Sequence, residues 1–128
     1  MHTTDYRDAF IAVAPDCPAV TAEVPPEREP ATVARLQYEM LVDAPYVHTS
    51  DDVVHATQGA RRGIDRETFF STGQACLRSS PLVKRYGWGL HHDAEGRVAL
   101  LAVESAEYAE HASDEGLRQL AGMRSRRA

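Results

Sequence analysis

Arg85-Tyr86-Gly87-Trp88-Gly89-Leu90-His91-His92, then Asp93-Ala94-Glu95-Gly96, then Arg97-Val98-Ala99-Leu100-Leu101-Ala102-Val103-Glu104, decide the fold of this 128-residue chain. Two runs suited to extended backbone flank four residues rich in turn formers, the pattern of a β-hairpin. The second run is almost wholly apolar from Val98 to Val103, which suits a strand buried on both faces. Period-two alternation puts Tyr86 and Trp88 on one face of the first strand, and Arg85, Gly87, Gly89 and His91 on the other.

Working outward, Phe10 to Ala14 is a compact apolar run that stops at Pro15-Asp16-Cys17-Pro18, so residues 7–13 read as a further strand. Glu23-Val24-Pro25-Pro26-Glu27-Arg28-Glu29-Pro30 reads as an extended surface loop. A helix opens at Pro30 or Thr32 and runs to Leu41. Ser50 reads as the cap of a second helix, with Asp51 and Asp52 explained by the helix dipole and Gly63 as its stop. Val53, Val54 and Thr57 equally suit a strand, so helix and strand both stay open for residues 50–62. Asp65 caps a short helix with Phe69 and Phe70, and Ser105 caps one with Tyr108. Leu117, Leu120 and Met123 predict a last helix, ahead of a basic, exposed tail from Arg124 to Ala128. The expected fold is a single α+β domain over 1–128. A small antiparallel sheet (the hairpin plus the N-terminal strand) is packed with four to five helices on one side, leaving its other face free.

The chain carries 14 Lys and Arg against 19 Asp and Glu, a net charge of -5. That disfavours nucleic acid as a partner, because phosphate neutralisation supplies much of such binding. Cys17 and Cys76 are too few for a disulfide framework, and the start Met1-His2-Thr3-Thr4-Asp5-Tyr6 has no basic residue before an apolar run. No stretch approaches the length of a membrane span, so a soluble, cytoplasmic protein is expected.

Within this acidic chain, Arg78 to Gly89 concentrates cations, hydroxyls and aromatic rings. Arg78, Lys84 and Arg85 would hold an anion, Ser79 and Ser80 would donate hydrogen bonds, and Tyr86 or Trp88 would stack. The competing reading makes the same segment a non-catalytic surface for a protein partner or a homodimer, where Trp, Tyr and Arg are common anchors. A serine–lysine nucleophile is excluded by spacing: Ser80 and Lys84 are separated by three residues, and Pro81 follows the serine. His91 and Glu39 are the candidate acid–base groups. Neither a metal nor a cofactor is expected, since the six histidines form no ligand pattern and no nucleotide-binding glycine fingerprint occurs.

The chain resembles an uncharacterised bacterial family, domain-of-unknown-function family 6157. The resemblance runs end to end, through His2-Thr3-Thr4 to Tyr6, Leu36-Gln37-Tyr38-Glu39, Tyr46 and Thr49-Ser50-Asp51-Asp52-Val53. It continues through Arg78-Ser79-Ser80-Pro81-Leu82, Lys84-Arg85-Tyr86-Gly87-Trp88-Gly89, Glu104-Ser105, Tyr108 and Met123-Arg124-Ser125. It departs at His55-Ala56-Thr57-Gln58-Gly59, where the family pattern is more apolar. The resemblance implies no particular activity.

Overall fold

The structure, a computed structural model, describes residues 1–126. The predicted tail is exposed from Arg124 to Arg126, whereas Arg127 and Ala128 lie outside the described residues. The hairpin forms as read, with β2 (Trp88–His92) pairing antiparallel with β3 (Val98–Ala102) and Trp88 opposite Ala102. Gly96 closes the turn at φ 79°, a conformation that costs a glycine little. β1 (Ala9–Ala12) pairs antiparallel with β2, with Phe10 opposite His91.

The fold is α+β, but its sheet is mixed. The segment expected to be the last helix is instead β4 (Arg118–Ala121), which lies parallel to β1, giving the order β3-β2-β1-β4. Only five residues separate Gly116 from Gly122, too few for a stable isolated helix. The exposed edge of β1 instead satisfies the backbone of this segment, as in the bond from Arg118 N–H to Asp8 O (2.9 Å).

Among the described residues, five α-helices accompany the sheet. α1 (Val33–Leu41) is capped by Thr32, whose hydroxyl accepts from Arg35 N–H. α2 (Ser50–Val54) continues through a π turn and a 3₁₀ turn to Gly63, so residues 50–62 are helical and the strand alternative is set aside. Its cap is Thr49, not Ser50, with a reciprocal bond to Asp52. α3 (Arg66–Phe69), α4 (Pro81–Lys84) and α5 (Ala106–Ala112) complete the set.

The main core forms where Ile11, Leu90 and Val98 on one sheet face meet Leu41, Val53, Val54, Phe69, Phe70, Leu77 and Val83 from α1–α4 and the adjoining loops. The expectation of a bare opposite face does not hold, because α5 covers it. Phe10 meets Tyr108 edge-on at 5.0 Å, and Tyr108 accepts a bond from Val13 N–H. Gly89 makes this approach feasible: a Cβ there would lie 2.7 Å from Tyr108 and 2.9 Å from Phe10.

Candidate functional site

The Arg78–Gly89 segment does not present its residues on one surface. Arg78 is absorbed by the sheet, where Nε donates to Ala121 O at 2.7 Å and its own carbonyl accepts from Met123 N–H. This arginine seals the end of an edge strand. Ser80 is buried; its hydroxyl donates to Gln37 Oε1 at 2.6 Å and accepts from Leu82 N–H, capping α4. Trp88 donates from Nε1 to Glu23 O at 2.8 Å and packs against Tyr38 with ring centroids 5.7 Å apart. Residues 85–87 precede the strand instead of extending it, and Gly87 sits at φ 78° close to Thr21 O.

What remains converges. Ser79, Pro81, Lys84, Arg85 and Tyr86 line a cleft of about 280 Å³ together with Thr32, Val33 and Ala34 at the start of α1. Chain geometry explains the convergence. Proline follows the Ser80 cap at the first position of α4, where its missing N–H is harmless, and the four-residue helix then delivers Lys84 and Arg85 beside α1. α4 is tied to α1 by the Ser80–Gln37 bond.

The cleft is electropositive for two reasons. Among the described residues, neither Lys84 nor Arg85 has a carboxylate within 4 Å. Thr32 uses its hydroxyl on Arg35 N–H, and the N–H groups of Val33 and Ala34 have no acceptor among the described residues. Free N–H groups at a helix start add positive potential. Lys84 is also the sole lysine in the sequence, so its charge is unduplicated in kind.

Larger clefts lie elsewhere: one of about 530 Å³ shares Arg85 with Asp16, Pro18, Ser125 and Arg126, one of about 350 Å³ includes Arg61 and Arg62, and in two more an arginine is already paired. One of about 490 Å³ is lined by Glu27, Arg28, Glu29, Ala31, Arg35 and Glu39. There Arg35 is paired with both Glu27 and Glu39, at 3.2 and 3.0 Å. Another, of about 660 Å³, includes Arg66, which already pairs with Asp52 at 2.6 Å.

Neither acid–base candidate lines the cationic cleft. Glu39 is exposed and bonded to Arg35. His91 is on the α5 face, with Nδ1 2.7 Å from the Tyr46 hydroxyl. Burial and then the charge of His111 hold its pKa below the ordinary 6.5.

Sequence reasoning missed a second polar centre. Asp51 is buried and accepts from Thr4 N–H (2.6 Å), Thr4 Oγ1 (2.7 Å) and Thr3 Oγ1 (2.7 Å), anchoring the N-terminus to α2. Its role therefore exceeds favourable placement on a helix dipole. The two threonines beside a distant Asp-Asp pair were the available signal. Both Asp51 carboxylate oxygens are engaged by the N-terminal threonines, so this centre reads as an anchor.

Fold and cleft together define a small α+β protein with an open cationic cleft between two helices. The family model described as a family of unknown function (DUF6157) matches residues 1–128, the whole chain, and the protein belongs to that family. No match was found among curated proteins or among solved structures. Among the described residues, no helix is long and apolar enough to cross a membrane.

Proposed function

We propose that the protein binds a small anionic ligand, a carboxylate or phosphate metabolite, in the cleft between the start of α1 and the end of α4. The observation that carries this reading is the pair of cations, Lys84 and Arg85, lining a cleft without a carboxylate partner among the described residues. Among the described residues Arg35, Arg66 and Arg97 are paired with carboxylates, whereas Lys84 and Arg85 are unpaired and share one cleft, so their charges reinforce each other there. Arg85 supplies a fork for two anion oxygens, Lys84 a point charge and Tyr86 a ring, whereas the Ser79 hydroxyl already donates to Met123 Sδ at 3.2 Å. The Val33 and Ala34 N–H groups add donors from below. About 280 Å³ is near the lower end of ligand clefts, which favours a compact ligand.

The interaction-surface reading draws less support, because its natural anchor, Trp88, spends its N–H on Glu23 O and its ring on Tyr38. Cytoplasmic residence rests on the two free thiols, Cys17 and Cys76. A thermal-shift screen of anionic metabolites against wild type and Arg85→Ala tests the reading. Concentration-dependent stabilisation of wild type, lost in the variant, is expected. Equal stabilisation of both proteins, or none in wild type, overturns it.

A further inference from the structure

On the sheet face opposite the cationic cleft, His91 of β2 and His111 of α5 bring their ring centroids to 4.3 Å, with the planes inclined at 55°. Nothing in the proposed anion site uses either. We infer that this pair is a binding site for a divalent late-transition-metal ion, held by the two Nε2 atoms.

The tautomer is set on one side. His111 Nδ1 lies 2.7 Å from Glu107 O, and a carbonyl only accepts, so Nδ1 carries the hydrogen and Nε2 keeps its lone pair. This is the arrangement of a metal-ligating histidine whose far nitrogen donates to a backbone carbonyl. On the other side His91 Nδ1 is 2.7 Å from the Tyr46 hydroxyl. With Nδ1–H donating to that oxygen, His91 presents Nε2 in the same way. Tyr46 is held for this contact: its φ is +60°, unusual for a side chain of this size, and its N–H is bonded to Val98 O.

The spacing agrees with chelation. A metal–nitrogen bond of about 2.0–2.1 Å, plus roughly 1.1 Å from nitrogen to ring centre, puts each centroid ~3.2 Å from the ion. Two centroids 4.3 Å apart then correspond to a nitrogen–metal–nitrogen angle of about 85°. That suits square-planar or octahedral ions such as Ni²⁺ and Cu²⁺ better than tetrahedral Zn²⁺. Among the described residues no group of three His, Cys, Asp or Glu side chains is placed to hold an ion. The site is therefore an open one, with its remaining positions left to water or to a ligand's own donors.

The test is calorimetric titration of the full chain with Ni²⁺, in a His2→Asn background that removes the N-terminal imidazole. One ion per chain is expected, with affinity at least tenfold weaker in His91→Asn and in His111→Gln, and several-fold weaker in Tyr46→Phe. Should His91→Asn fail to fold, paramagnetic broadening of the unsubstituted His91 and His111 ring protons at low Ni²⁺ answers the same question, and those two rings are expected to broaden first. Absence of one-per-chain binding, binding unchanged in His111→Gln, or broadening that begins at another histidine overturns the site.

Discussion

Ser80 Oγ donates to Gln37 Oε1 across 2.6 Å inside the core, and this one bond fixes the start of α4 against the middle of α1. The two walls of the cationic cleft are thereby joined. Ser80→Ala removes a helix cap and leaves a buried amide oxygen unpaired, so it should cost about 2–3 kcal/mol. Adding Gln37→Leu should recover part of that loss, because both polar partners are then gone. Urea denaturation of the two single variants and the double variant measures the coupling; strict additivity contradicts it.

The Asp51 carboxylate accepts three bonds from Thr3 and Thr4. Asp51→Ala strands the Thr4 N–H in the interior, while the Thr4 hydroxyl keeps Ser50 Oγ at 2.8 Å, with an expected loss of about 2–3 kcal/mol. Thr3→Ala, at the better-exposed end, should lose about half as much. Denaturation midpoints and protection of the Thr4 amide from hydrogen exchange check the order.

His92 is fully buried against Tyr6, with neither ring nitrogen bonded among the described residues, and burial lowers its pKa to about 4. Well above pH 6.5, its ordinary value, it is neutral whether folded or unfolded, and it contributes no pH dependence. As pH falls below 6.5 the unfolded chain binds a proton that the folded chain refuses, so stability drops until the folded pKa is reached. The loss due to this group is roughly 3 kcal/mol between those limits. His92→Leu should flatten that slope relative to wild type, measured as denaturation free energy against pH. An unchanged slope contradicts the assignment.

Gly89 lies under α5, where an added Cβ would meet Tyr108 at 2.7 Å and Phe10 at 2.9 Å. Gly89→Ala should destabilise by about 1–3 kcal/mol and loosen α5. Exchange of the Val13 amide, which donates to the Tyr108 hydroxyl, reports the loosening directly.

How far the residues foretold this arrangement depended on the range of the interactions involved. The hairpin was legible because two extended runs and an Asp93–Gly96 turn are local signals. β4 was not: Leu117, Leu120 and Met123 fall at helical spacing, and the strand exists because β1 offers it an edge more than a hundred residues earlier in the chain. The same holds at the site. Lys84 and Arg85 stood out as cations in an acidic protein, but Thr32, Val33 and Ala34 join them only through tertiary packing. Arg78 and Trp88 were withdrawn from the cleft by the carbonyls of Ala121 and Glu23, and a backbone acceptor leaves no trace in residue type.

The central claim is that the cleft at Lys84 and Arg85 holds an anion, and a ¹H–¹⁵N titration with inorganic phosphate and with small carboxylates tests it most directly. Saturable shifts of the Val33, Ala34 and Arg85 amides are predicted for at least one of these anions, with affinity at least tenfold weaker in Lys84→Met and Arg85→Met. Shifts that track ionic strength alone, or that persist unchanged in both variants, would contradict the account.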